Sequence, residues 1–244
     1  MVTNSETVRA EKNPIIPNSG VCDPHMRIMG GRCYLYATHD YSPENEKFRM
    51  KDWHVWSSGD LVEWRHESTF RPEETYMGAS DHCWAPDAIE RNGKYYLYFS
   101  NHRKDTGVAV SNHPGGPFRD ILGEPLLPED LTPTKSYDPA IFVDDDLHQT
   151  PYIIFGNPEW AGGDSYYIAR LNDDMISLAE PPKKIMLDDT ADDKPAIHKN
   201  NGVYYLSWQS FYAVADNVYG PYTTVGNTGA AFDHGCYFNW NNQW

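Results

Sequence analysis

The stretch Ser136-Tyr137-Asp138-Pro139-Ala140-Ile141-Phe142-Val143-Asp144-Asp145-Asp146 decides the fold. An acidic residue and a proline open it, an apolar run of strand formers follows, and a polar turn closes it. Variants recur. Asp23-Pro24-His25-Met26-Arg27-Ile28 is the first, Trp84-Ala85-Pro86-Asp87-Ala88-Ile89 the second and Asp193-Lys194-Pro195-Ala196-Ile197-His198 the fourth. Asp233-His234-Gly235-Cys236-Tyr237-Phe238 is a looser fifth. After the first four come a tight polar turn and an aromatic strand: Tyr34-Leu35-Tyr36, Tyr95-Tyr96-Leu97-Tyr98-Phe99, Tyr152-Ile153-Ile154-Phe155 and Tyr204-Tyr205-Leu206-Ser207-Trp208. The copies are spaced by roughly 50 to 60 residues, the range of propeller blades. The pattern predicts an all-β fold, a five-bladed β-propeller whose acidic strand starts gather at one end of a central channel.

Turn chemistry divides the blades. Asn92-Gly93 and Asn201-Gly202 predict two-residue hairpins that need positive φ. No stretch has a convincing helical period. Residues 1–20 read as an N-terminal arm, with Pro14 and Pro17 excluding a regular helix, and residues 21–244 as the propeller. The fifth repeat turns near Asn241-Asn242 just before Trp244, so the last blade reads as incomplete. An open blade edge invites self-association.

A net charge of −15 over 244 residues argues against nucleic acid or an anionic membrane as partner. Seventeen Tyr and eight Trp suit half-buried strands and also the faces of sugars. Met1 to Asn13 lacks the apolar core of a signal peptide, which reads as a cytoplasmic protein or one whose signal has been removed. Cys22, Cys33, Cys83 and Cys236 have no Cys-x-x-Cys spacing, so zinc is disfavoured and free thiols are expected. Asp144-Asp145-Asp146 lacks the glycine and distal glutamate of a calcium hand and reads as a solvated hairpin turn.

Four motifs in order, Cys22-Asp23-Pro24-His25, His82-Cys83-Trp84-Ala85-Pro86-Asp87, Tyr137 to Asp145, and His234-Gly235-x-x-Phe238, resemble glycoside hydrolase family 43. The resemblance runs from about Asn13 to Trp244 and implies inverting hydrolysis of plant cell-wall pentosides by three carboxylates. It makes Asp23 the general base and Asp138 the residue that orients the acid and raises its pKa. The acid belongs in a Glu-(Gly/Ala)-Pro pattern, which here reads Asp193-Lys194-Pro195; Asp193 is then a shortened acid, with Asp192 or a distant Glu as the alternative. The resemblance also implies that Trp84 walls the sugar pocket, against the plainer reading of a core tryptophan. It sets His234 beside a calcium or sodium ion near the channel axis, against the reading of a hydrogen-bonded core histidine; no cofactor is required. Geometry adds one expectation: the second strand of each blade runs back to the catalytic face, so His39, Asn101, Asn157 and Gln209 are candidates for binding sugar hydroxyls. The changed acid and the incomplete blade motivate a second reading, a non-catalytic sugar-binding propeller.

Overall fold

A computed structural model describes residues 6–17, 20–41, 44, 48–158, 162–189, 191–229 and 233–244. The chain forms a β-propeller of four antiparallel sheets. Sheet I holds β1 (Thr7–Arg9), β2 (Val21–Met29), β3 (Arg32–Asp40), β4 (Met50–Ser58) and β5 (Glu63–Phe70), in the order β1-β5-β4-β3-β2. Sheet II is the meander β6 (Cys83–Arg91), β7 (Lys94–Asn101), β8 (Asp105–Ser111) and β9 (Arg119–Asp120). Sheet III runs β10 (Ala140–Val143), β11 (Pro151–Phe155), β12 (Tyr167–Arg170), β13 (Lys183–Lys184), and sheet IV runs β14 (Ala196–Asn200), β15 (Val203–Trp208), β16 (Phe211–Ala215), β17 (Thr223–Asn227). The predicted hairpins form: Asn92 and Gly93 have φ of 53° and 71°, Asn201 and Gly202 of 50° and 81°.

The sheets bury both faces, so the cores lie between them. Trp53, Phe70, Leu97 and Phe99 fill the space between sheets I and II. Tyr98, Val108, Ile141 and Phe155 do so between II and III, and Phe142, Ile154, Leu206 and Trp208 between III and IV. This arrangement explains the aromatic second strands: a wedge-shaped gap is filled most completely by large flat side chains.

Both ends of the described chain differ from the sequence expectation. The N-terminal arm contributes β1, which pairs with β5 as the outermost strand of sheet I. From Asp233 onward no sheet forms among the described residues; Trp240 and Gln243 make an isolated bridge around the expected turn, with Asn241 and Asn242 at φ of 50° and 64°. This tail is nonetheless held. The Met26 backbone N–H donates to Cys236 Sγ at 3.1 Å, and Phe238 and Trp240 pack on the Leu35, Trp56 and Trp64 core of sheet I. On its other side the rings of Tyr237 and Trp244 lie against His198 of sheet IV. All four cysteines are free thiols. Asp144, in the β10–β11 turn, is buried and accepts from Lys199 and Tyr204 of sheet IV.

Candidate active site

Asp23, Asp138 and Asp193 share an uncommon backbone conformation, with φ of 47°, 57° and 55°. Aspartate tolerates this left-handed region better than most residues. For Asp23 and Asp138 the following proline adds a further steric penalty. Strain of this kind persists where the surroundings over-determine it, and it collects at functional sites. In β2 the ladder register shifts between Cys22 and His25, which frees Asp23-Pro24 from pairing. The three carboxylates therefore leave their strands and meet in one cavity of about 370 Å³, which Trp84, Asn157, Gln209 and His234 also line.

Within the cavity the groups are tied together. His234 Nε2 lies 2.8 Å from Asp193 Oδ1, and its Nδ1 faces Asp23 Oδ1 at 3.4 Å. The Asn157 amide donates to Asp138 Oδ2 at 3.1 Å and to Asp193 Oδ1 at 3.2 Å, while its own oxygen accepts from the Asp193 backbone N–H. The Lys194 backbone N–H also donates to Asp193 Oδ1, at 2.9 Å. Asp138 is held from behind by its backbone N–H donating to Ser100 Oγ, and its Oδ1 is buried without a hydrogen-bond partner.

These contacts set the protonation states. Burial pushes the Asp138 carboxyl up to about 6; His234 and the Asn157 amide pull it down, and Asp193 adds to the rise. Burial also raises Asp193, but the hydrogen bond and charge of His234, helped by the N–H and charge of Lys194, more than offset it and hold this carboxyl below its ordinary value. Burial alone would lower His234; Asp23, the hydrogen bond to Asp193 and the charge of Asp138 instead raise it to about 9. The elevation expected on the acid Asp193 thus falls on its neighbour Asp138, and the proton nearest Asp193 rests on His234.

His39 and Asn101 do not line the cavity. Both remain inside the ladder: His39 pairs with Val21 and Asp52, Asn101 with Cys83 and Asp105. His39 Nδ1 contacts Asp52 at 2.7 Å, and Asn101 donates to Asp105. In sheets III and IV the second strand stops earlier, at Phe155 and Trp208, and Asn157 and Gln209 follow it through positive-φ residues, Gly156 and Gln209 itself, into the cavity. Strand length, invisible in the repeat pattern, decides between the two outcomes.

Trp84 belongs to the core between sheets I and II and also lines the cavity, where Phe48 and the Arg103 guanidinium approach its ring. Sequence reasoning missed Phe48, Met50, Arg103, Tyr137 and Asp233 in the lining, while Asp192, the alternative to Asp193, does line it. Tyr137 and Asp233 adjoin the motif residues and were within reach of that reading. Phe48 and Arg103 sit in connections that carry no such signal. Asp192 accepts from Gln209 Nε2 at 2.8 Å.

Asp138, Asp193 and His234 present ligand atoms within 4.8 Å of one another, the spacing of a metal site. The donor set fits calcium poorly. Calcium takes six or more oxygens, whereas here the imidazole spends one nitrogen on Asp193, and Asn157 donates to both carboxylates. The channel beneath is crossed by two cationic side chains. Arg27 of sheet I forks onto Asp87 of sheet II, at 3.0 and 2.6 Å, and donates to Ile141 O of sheet III. Lys194, beside β14, reaches Pro86 O in sheet II at 2.9 Å.

This geometry is that of a carboxylate-based hydrolytic centre at the mouth of a propeller channel. The chain belongs to glycosyl hydrolases family 43, whose model matches residues 11–233. A xylosidase/arabinosidase of Bacteroides ovatus is 31% identical, over 90% of this chain and 81% of that protein. Xylosidase/arabinosidase 43A of Humicola insolens is 32% identical, over 87% and 81%. Among solved structures, a family 43 β-xylosidase/α-arabinofuranosidase from a compost microbial metagenome, in complex with xylotriose and in a calcium-free form, superposes with a TM-score of 0.81 at 27% identity, over 98% of this chain and 88% of that one.

Proposed function

We propose that this hydrolase cleaves pentosides of plant cell-wall saccharides with inversion, releasing α-L-arabinofuranose or β-D-xylose. The observation that carries the reading is that Asp23 and Asp193 face each other across the His234 imidazole in one cavity. A ring-sized gap suits inversion, in which base and acid stand roughly 6.5–9.5 Å apart so that a water fits between them. The named relatives support the pentoside class.

In this reading Asp23 takes a proton from the attacking water. Asp193 relays to the leaving oxygen on the opposite face the proton that rests on His234, 2.8 Å away. Asp138, coupled to Asp193 through the Asn157 amide, orients the acid. Trp84 offers an apolar ring to the sugar face, and Asn157 and Gln209 are placed to bond hydroxyls. The ring is five-fold in this reading, with residues 233–244 taking the sector between sheets IV and I.

Hydrolysis of aryl α-L-arabinofuranoside and aryl β-D-xyloside, followed by proton NMR, tests the proposal. Wild type should release the inverted anomer. Asp23→Ala should be inactive on both. Asp193→Ala should lose about 10²- to 10⁴-fold on poor leaving groups and much less on dinitrophenyl glycosides, which need no acid. Retention of configuration, or equal loss on all leaving groups, would overturn the roles. Sugar binding without turnover in wild type would favour the non-catalytic reading.

A further inference from the structure

Lys194 is a lysine where lysines are seldom found. It is 3% exposed, it lies between Asp193 and Pro195, and its ammonium donates to Pro86 O across the channel axis. Sheets II and IV are not neighbours, because the packed cores join I to II, II to III and III to IV. A side chain that links II to IV must therefore pass through the channel directly under the carboxylates. An ammonium buried in this way needs opposing charge close by. Asp138 and Asp193 are carboxyls on which its charge acts, lowering both. The same charge, with that of Arg27, adds to burial in holding His25 neutral, well below its ordinary value.

We propose that the Lys194 ammonium is the resident cation of the axial channel, a positioning residue that takes the place of a metal ion beneath the carboxylates and leaves this hydrolase independent of divalent cations. The two departures from the Glu-(Gly/Ala)-Pro pattern then belong together. The acid is shortened, and the small residue after it is replaced by a side chain that brings its own positive charge to the site. Arg27 does not duplicate this role, since its guanidinium is committed to Asp87 and Ile141 O.

The pH readout below rests on the catalytic roles proposed above; the binding readout needs no substrate, so failure of one is distinguishable from failure of the other. Wild-type protein is dialysed against EDTA and its thermal midpoint is followed as calcium chloride is added. The midpoint should not move, and a calcium-dependent rise overturns the proposal. Lys194→Ala empties the channel of its ammonium and should acquire a calcium-dependent rise in midpoint. In the same variant the alkaline limb of kcat/KM against pH, which reports loss of the proton delivered through Asp193, should move up by about 1 unit or more, because the carboxyls lose a neighbouring positive charge. Lys194→Arg should keep the wild-type limb. A Lys194→Ala protein with an unmoved limb reduces Lys194 to a tie between sheets and refutes the positioning role. If Lys194→Ala does not fold, the wild-type calcium titration and the Lys194→Arg profile still decide the matter.

Discussion

Replacing His234 with the neutral Gln tests the charge arrangement of the site most directly. The imidazole stands among Asp23, Asp193 and Asp138, which together raise it from its ordinary 6.5 to about 9 despite burial. At 1.36 kcal/mol per pKa unit, that rise corresponds to about 3 kcal/mol of folding stability. A raised folded-state pKa means that the native state binds the proton more tightly than the unfolded chain, so stability falls as pH rises between the two values. The contribution is full below about 6.5, is still above 2 kcal/mol near pH 7, and is lost as pH passes about 9. Urea unfolding of wild type and His234→Gln at half-unit steps from pH 6 to pH 10 measures the difference. The gap between the two proteins should narrow by about 3 kcal/mol across that window. A constant offset, from lost packing alone, would refute the ion pair between His234 and the carboxylates.

Three other substitutions probe separate parts of the site. Asp138→Asn should abolish turnover yet raise stability by up to about 3 kcal/mol above pH 6, where the buried carboxylate is ionised at a cost; a lower midpoint at pH 7.5 would contradict this. Arg27→Met strands the fully buried Asp87 carboxylate and should cost about 3–5 kcal/mol in denaturant melts, whereas the double change Arg27→Met with Asp87→Asn should cost less; equal losses would deny the pair its electrostatic role. Trp84→Phe should keep most of the core while raising KM about tenfold at unchanged kcat, since a sugar stacked on the ring is bound equally in ground and transition states; a fall in kcat alone would remove Trp84 from the sugar contact.

Much of this fold is visible in the residues. An Asp-Pro or Ala-Pro start, an apolar run, an Asn-Gly turn and an aromatic return strand are local signals, and each matches the strand that forms. The carboxylates were legible because their unusual position comes from the same local pattern. Where contacts are non-local the reading fails. His39 and Asn101 occupy the same place in the repeat as Asn157 and Gln209, yet a longer second strand keeps them in the ladder. The strand β1 has no repeat to announce it and exists only because β5 leaves an edge free. The path of the Lys194 side chain was hidden as well, because nothing local says that sheet II lies opposite it. The direction of the pKa shifts was equally hidden. It depends on His234, which comes from a part of the chain about forty residues beyond Asp193.

The tail that carries His234 has a consequence for how the protein is made. A ribosome delivers Asp23 first and Asp138 and Asp193 later, but the histidine that compensates them emerges only after all four sheets. A nascent chain that has stacked those sheets therefore holds its acidic groups together with their counter-charge still missing. The mutual repulsion of those groups keeps the half-built mouth loose until the tail docks between Met26 and His198. Docking of this segment and completion of the charge balance at the site thus become one event.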